Sequence, residues 1–81
     1  MTRKYLLQHR HAAGECGAAF AAWRGFVSPL RGELAASTCL AGDHAVWWRV
    51  EAPDASAALA LLPPYVAHRT AVAEVRDVLI P

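Results

Sequence analysis

The stretch from Gln8 to Cys16, QHRHAAGEC, has residue types that bind metal ions and transfer protons. His9 and His11 are two positions apart, and side chains with this spacing on a strand point to the same side. Two imidazoles placed in this way could chelate one ion of zinc, nickel or copper. A metal site needs further ligands, which a nearby thiol and a third imidazole could supply. The predicted metal ligands are His9, His11, Cys16 and His44.

Each of these residues also has an interpretation without a metal. The two histidines would then meet water or a backbone carbonyl at the end of a strand. Cys16 lies at helical spacing from Phe20 and Trp23, and free cysteine is among the most buried residue types. Cys39, the second thiol, is within possible reach of a metal site, but it stands among small residues and is predicted to pack.

A pocket between sheet and helices is the alternative place for chemistry. Phe20, Trp23 and Trp48 could line a pocket for a flat apolar ligand. His9 would be the polar group at its wall, suited to general acid–base catalysis because imidazole titrates near neutral pH. Tyr5 would be a second proton donor. This interpretation predicts an enzyme with His9 and Tyr5 as its catalytic residues.

Length and charge limit the classes of function. Eighty-one residues form one domain, residues 1–81, with a thin core of its own. The formal charge of +1, with acidic and basic residues mixed along the chain, argues against a nucleic-acid partner. No apolar run has the length of a membrane span, and the basic N-terminus lacks the apolar segment of a signal peptide. The two cysteines are therefore expected to be reduced thiols in the cytoplasm.

The hydrophobic pattern predicts six elements in the order β-α-β-β-α-β. Strands are predicted at residues 4–11, 33–40, 44–52 and 71–80, and helices at residues 15–26 and 55–62. Ser28-Pro29 and Pro63-Pro64 are expected to end the two helices, and residues 65–70 to form a linker. This order is typical of a ferredoxin-like α+β fold, in which a four-stranded antiparallel sheet has two helices on one face.

Alternation along the strands assigns their side chains to two faces. The set predicted to lie under the helices is Tyr5, Leu7, Val46, Trp48, Val75 and Leu79. The same alternation puts His9 and His11 at the edge of this core. The opposite face has apolar side chains among its charges, and such patches usually mark interfaces. We predict a homodimer that packs sheet against sheet through Leu6, Trp47, Val78 and Ile80.

The segments KYLLQH, VEAPDASAA and VRDVLIP resemble small bacterial ferredoxin-like proteins of the dimeric α/β-barrel superfamily. Within it they are most similar to a branch of domains of unknown function that includes nickel-binding members. The resemblance implies a dimer and a bound metal, and the superfamily also includes isomerases, cyclases and cofactor-independent monooxygenases.

Residues and resemblance together predict a small homodimeric protein that binds a transition metal through the histidine pair of the first strand. The alternative is a small cofactor-independent enzyme of the isomerase, cyclase or monooxygenase type, acting on an aromatic or apolar substrate. A third possibility is a module that serves only interaction, through Trp47 on the face away from the helices.

Overall fold

The computed structural model describes all 81 residues. Its strands are β1 (Arg3–Arg10), β2 (Ala36–Ser37), β3 (Ala45–Ala52) and β4 (Thr70–Val75), and its helices are α1 (Cys16–Ala21), α2 (Ala55–Leu59) and α3 (Pro64–Ala67). Two single-turn 3₁₀ helices, Ala13–Glu15 and Cys39–Ala41, precede α1 and follow β2. The helices are short, and none has the length and apolar character needed to cross a membrane.

The four strands form one antiparallel sheet in the order β2-β3-β1-β4. β1 is one of the two central strands, and its Leu7 pairs with Trp48 of β3 and with Val72 of β4. The predicted α+β class with a four-stranded antiparallel sheet is confirmed. The strand order is consistent with a ferredoxin-like arrangement, although the chain has three α-helices rather than two.

The core lies between the sheet and the helices α2 and α3. Tyr5 and Leu7, at alternate positions of β1, are buried against Leu62 and Val66. Leu7 is fully buried, and truncation to alanine at such a site costs about 2–5 kcal/mol. His9 continues the alternation and is only 1 % exposed. The periodicity that builds the core therefore also places this imidazole inside it.

The first helix is shorter than the predicted span of residues 15–26. α1 ends at Ala21, and turns follow as far as Gly25, whose φ is +73°. A left-handed φ suits glycine and ends helical geometry. The chain consequently turns before Ser28-Pro29, and Val27, which would have continued the apolar stripe, is exposed.

The second strand is reduced to Ala36–Ser37 from the predicted residues 33–40. Its small side chains bury little surface, so few contacts extend the pairing with β3. Cys39 lies instead in the 3₁₀ turn that ends at Gly42, whose φ is +92°. This left-handed residue turns the chain back into β3 and leaves Cys39 beside the end of β1.

The double proline begins a helix as well as following one. α2 ends at Leu59, and Pro64 is the first residue of α3. Proline is favoured at this position because its missing N–H would have no partner in the first helical turn. The predicted linker of residues 65–70 is therefore wrong, since its first half belongs to α3 and Thr70 begins β4.

The last strand ends earlier than predicted. The sequence predicts a strand over residues 71–80, whereas β4 ends at Val75. Asp77 then binds Lys4 Nζ at 2.6 Å and Arg49 at 2.7 Å. Leu79, predicted to lie under the helices, is 95 % exposed, so that prediction is wrong.

The phase of β4 also differs from the prediction. Val75 pairs with Lys4 on the sheet face away from the helices, here called the open face. Val72, opposite Leu7, packs against the core in its place. A shift of one residue moves every side chain of a strand to the other face. Valines occur at positions 72, 75 and 78, so either phase places at least one valine under the helices. The sequence pattern alone therefore does not determine which phase β4 adopts.

Candidate metal centre

Segments that are far apart in the sequence meet at one end of the sheet. The residues concerned are His11 after β1, Cys16 at the start of α1, Cys39 in the second 3₁₀ turn and His44 before β3. β1 and β3 are antiparallel neighbours, and their pairing extends to a hydrogen bond from the His11 N–H to the His44 carbonyl at 3.0 Å. The sheet thus holds the two histidines side by side, and a neighbouring turn adds each cysteine.

These four side chains converge on a small volume, with one ligand atom of each within 4.8 Å of all the others. Cys16 Sγ lies 3.3 Å from His11 Nε2 and 3.1 Å from His44 Nδ1. Cys39 Sγ lies 3.7 Å from the same His11 Nε2. A tetrahedral zinc ion with bonds of about 2.0–2.3 Å separates its ligand atoms by about 3.3–3.8 Å. The three distances of 3.1, 3.3 and 3.7 Å are close to those of a four-coordinate site.

The four residues differ in their exposure to solvent. His11 is buried, whereas Cys16, Cys39 and His44 are half-buried. Neither cysteine is in a disulfide, so both sulfurs are free to bind an ion. His11 therefore lies on the buried side of the cluster, and the other three side chains are accessible to solvent.

Glu15 positions the start of α1 and with it Cys16. Its Oε1 accepts a hydrogen bond from the Ala12 N–H at 2.9 Å. Its Oε2 accepts from the Tyr65 hydroxyl at 2.8 Å and pairs with Arg69 at 3.4 Å. The bonds from Ala12 and Tyr65 hold the pKa of Glu15 below its ordinary value, because they stabilise the carboxylate. A charged Glu15 thus ties α1 to α3.

Thr38 closes the loop that contains Cys39 and His44. Its hydroxyl donates to the Asp43 carbonyl and accepts from the Ala45 N–H at 3.2 Å. Its backbone N–H donates to the Ala45 carbonyl at 3.0 Å. One residue therefore fixes both ends of this loop, which limits the relative movement of the two ligands.

His9 lies behind the cluster rather than in it. Its Nε2 is 2.9 Å from Nδ1 of His11, and its Nδ1 is 3.3 Å from the Val66 carbonyl oxygen. The Thr70 hydroxyl donates to the same carbonyl at 2.7 Å. Burial lowers the pKa of His9, because a buried site disfavours the charged imidazolium. Burial therefore favours the neutral imidazole at this position.

Three of the four predicted metal ligands, His11, Cys16 and His44, lie in the cluster, and Cys39 joins them where His9 was predicted. From the sequence alone, Cys39 is expected to pack, because a strand of small residues is predicted there. The spacing of the cysteines and histidines does contain a pattern that indicates Cys39 as a ligand. Cys39-x₄-His44 mirrors His11-x₄-Cys16, so that each thiol has an imidazole five positions away.

The three aromatic side chains predicted to line a pocket border a cleft of about 330 Å³. Phe20, Trp23 and Trp48 share this lining with residues of the loop before β2. His9 borders a separate space of only about 20 Å³ next to the same aromatic side chains. Tyr5 is buried in the core cluster. The cleft lining thus includes neither of the two predicted catalytic residues.

Two of the four residues predicted to form a dimer interface lie on the open face. Leu6 and Trp47 are half-buried on β1 and β3. Val78 borders a groove together with Leu6, and Ile80 is exposed. Both Val78 and Ile80 follow the end of β4, so they belong to the C-terminal segment and not to the sheet.

Comparison of the chain with protein-family models, with curated proteins and with solved structures gave no match. The resemblance to the dimeric α/β-barrel superfamily therefore stays a prediction. The cluster of His11, Cys16, Cys39 and His44 is the feature that bears most directly on function.

Proposed function

We propose that this protein binds one transition-metal ion through His11, Cys16, Cys39 and His44. The main support is the convergence of their ligand atoms within 4.8 Å. His11 and Cys39 are 28 positions apart in the sequence, as are Cys16 and His44. The chain therefore has to fold around this point from separate segments to assemble two thiols and two imidazoles.

Zinc is the ion that this ligand set favours. Two cysteines and two histidines in tetrahedral geometry are a common set for structural zinc, and two thiolates balance the charge of a divalent ion. Nickel and copper in their divalent forms favour square-planar sites rich in nitrogen and oxygen, so they rank after zinc here. Four protein ligands leave no coordination position open, which favours a site that holds its metal over a catalytic one.

A bound ion would contribute to the stability of the fold. Only 13 of the 81 residues are buried, and domains of this size often need a metal or a partner to supplement their core. An ion held by the end of β1, the start of α1 and the loop before β3 would cross-link all three. Because such a site forms only in the folded chain, its binding free energy adds to the free energy of unfolding.

We further propose that the domain is a ferredoxin-like variant with α3 as an additional helix, and that it forms homodimers through the open face. The strand order and the packing of α2 and α3 on one side of the sheet support the first proposal. Leu6 and Trp47 on the other side support the second.

A second candidate function is the binding of a flat apolar molecule in the cleft beside Phe20, Trp23 and Trp48. Its volume of about 330 Å³ is at the lower end for ligand sites, and Phe20 at its edge is more than half exposed. Titration with a naphthalene carboxylate, followed by tryptophan emission, tests this function. We expect saturable quenching that Trp23→Ala weakens, and an emission that does not change would exclude it.

Native mass spectrometry of the untagged, metal-depleted protein after addition of zinc tests the metal site. We expect one zinc ion per chain, and loss of that ion in the Cys16→Ser/Cys39→Ser double variant. His68→Gln is the matched control, because His68 is exposed and lies outside the cluster. A wild type that stays metal-free in excess zinc would refute the proposed function, as would equal retention by the double variant.

A further inference from the structure

We infer that His9 is a positioning residue that fixes the tautomer of His11 and directs its Nε2 to the metal. The inference rests on the proposed metal site and gives a role to a buried histidine that contributes no ligand atom to the cluster. His9 contacts the ligand residue on one side and the backbone of α3 on the other. Its two ring nitrogens therefore connect the core to the metal centre.

The groups around His9 Nδ1 determine where its proton lies. The Val66 carbonyl oxygen, 3.3 Å away, can only accept a hydrogen bond. The Thr70 hydroxyl, 3.5 Å away, donates its own proton to that same carbonyl and so presents only lone pairs to the imidazole. Both neighbours are acceptors, and Nδ1 of His9 must therefore have the hydrogen.

This assignment leaves Nε2 of His9 with a lone pair and sets the direction of the next hydrogen bond. Nδ1 of His11 lies 2.9 Å away and has to donate. The lone pair of His11 is then on Nε2, the atom that lies 3.3 Å from Cys16 Sγ and 3.7 Å from Cys39 Sγ. The other tautomer of His11 would oppose two lone pairs at 2.9 Å and point an N–H at the metal position.

We call the two hydrogen bonds that connect Val66, His9 and His11 the relay. Because the relay is buried, water cannot easily replace either bond. His9 is 1 % exposed and His11 9 % exposed, so water has little access to the bond between them. No buried polar side-chain atom in the molecule lacks a partner. A variant that removes the acceptor at position 9 would leave the Nδ1–H of His11 unpaired in the core, which disfavours the tautomer that binds metal.

Two substitutions separate this role from one of simple packing. A glutamine at position 9 is long enough to place its carbonyl oxygen near the position of Nε2 and to accept from His11. An asparagine reaches only the position of Nδ1, where its amide can donate to the Val66 carbonyl. It provides no acceptor for the Nδ1–H of His11. Both variants keep a polar amide in the site and differ in the bond that the inference requires.

The test measures zinc affinity by competition with a chelating dye, together with long-range proton–nitrogen NMR spectra of the metal-free proteins at alkaline pH. We expect His9→Asn to weaken zinc binding about 10–100-fold, and His9→Gln to stay much closer to the wild type. We also expect His11 to have its proton on Nδ1 in the wild type and in His9→Gln, and to lose this preference in His9→Asn.

Equal zinc affinity in the wild type and His9→Asn would overturn the inference while leaving the metal site intact. So would equal losses in both variants, with the tautomer of His11 unchanged, because that result describes packing alone. If the wild type binds no zinc, the proposed function fails, but the spectra of the metal-free protein still decide the relay. Protonation of His11 on Nε2 in the wild type would then overturn it.

Discussion

At the scale of single residues, side chains outside the cluster determine how its ligands point. His9 holds His11 by a hydrogen bond of 2.9 Å, and Glu15 closes the 3₁₀ turn that leads into Cys16. Thr38 closes the loop behind Cys39. None of these three supports has an atom in the four-residue cluster, yet each is tied to the element that presents a ligand. The metal affinity of the centre should therefore depend on them as well as on the ligands.

Gly42→Ala should weaken both the fold and the metal centre. Gly42 has a φ of +92°, a conformation that costs an alanine about 1–2 kcal/mol, and it ends the turn that presents Cys39 and precedes His44. Space is not the cause, because an added Cβ would meet no atom within 4 Å. We expect a lower free energy of unfolding in urea and weaker zinc binding in a dye competition assay.

Gly17→Ala is the matched control for this change. An added Cβ is equally unobstructed there, but Gly17 lies in α1 without a left-handed φ. Alanine is favoured over glycine in a helix by about 0.5–1 kcal/mol, so we expect a small gain in stability. The same loss of stability in both variants would contradict the role given to the turn at Gly42.

At the scale of elements, sequence reasoning succeeded where large apolar side chains alternate. Residues 4–11 and 44–52 were predicted as strands, and β1 and β3 lie within one residue of those limits. The segment over residues 33–40 has small side chains whose conformation depends on the tertiary fold, so its strand is two residues long. Because the strand is short, Cys39 lies in the four-residue cluster and not in the predicted packing position.

The candidate site was predictable in its residue types but not in its membership. His11, Cys16 and His44 could be chosen because imidazole and thiol are metal ligands wherever they occur. The choice between His9 and Cys39 could not be made from spacing alone. It depends on a left-handed Gly42 and on a sheet register that puts His9 opposite Val46, inside the core.

Asp77 fixes the segment after β4 to the open face, and this attachment should depend on pH. Lys4 and Arg49 hold the pKa of Asp77 below its ordinary value of 3.8. Because the pKa is lowered in the folded state, the stabilisation is present above pH 3.8 and is lost as pH falls through the lowered value. We expect the C-terminal segment to detach in acid, seen as movement of the Val78 and Ile80 amide resonances toward random-coil positions in NMR spectra.

Asp77→Asn should produce the same release at neutral pH, because the amide has no charge to pair with the two cations. Glu51→Gln is the control, since Glu51 is exposed on β3 and makes no ion pair. Val78 amide resonances at the same positions in Asp77→Asn and the wild type would show that other contacts hold the segment.

At the scale of the whole molecule, helices cover one face of the sheet and leave the other open. The open face has Leu6, Trp47 and Val75 among charged side chains, and only 13 of 81 residues are buried. A second copy packed on this face would enlarge a thin core. The cluster of His11, Cys16, Cys39 and His44 lies at the end of the sheet, so a dimer of this kind and an ion bound there would stabilise different parts of the fold.

Trp47→Glu should convert the predicted homodimer to monomers, because it places a charge at the centre of the packed face. Size-exclusion chromatography with light scattering measures the mass directly. Val27→Glu is the control, since Val27, like Trp47, is an apolar residue, but it is exposed in the loop after α1. A monomeric wild type, or a dimer that persists in Trp47→Glu, would contradict the interface.

The most direct test of the metal centre is a titration of the metal-free protein with cobalt(II), followed by visible absorption. Cobalt reports geometry and sulfur ligation, which zinc does not. We predict saturation at one ion per chain, with intense bands of a tetrahedral site and sulfur-to-cobalt charge transfer, both reversed by zinc and absent in the Cys16→Ser/Cys39→Ser variant. Weak octahedral bands in the wild type, or tetrahedral bands that survive the loss of both thiols, would contradict the assignment of His11, Cys16, Cys39 and His44 as the metal ligands.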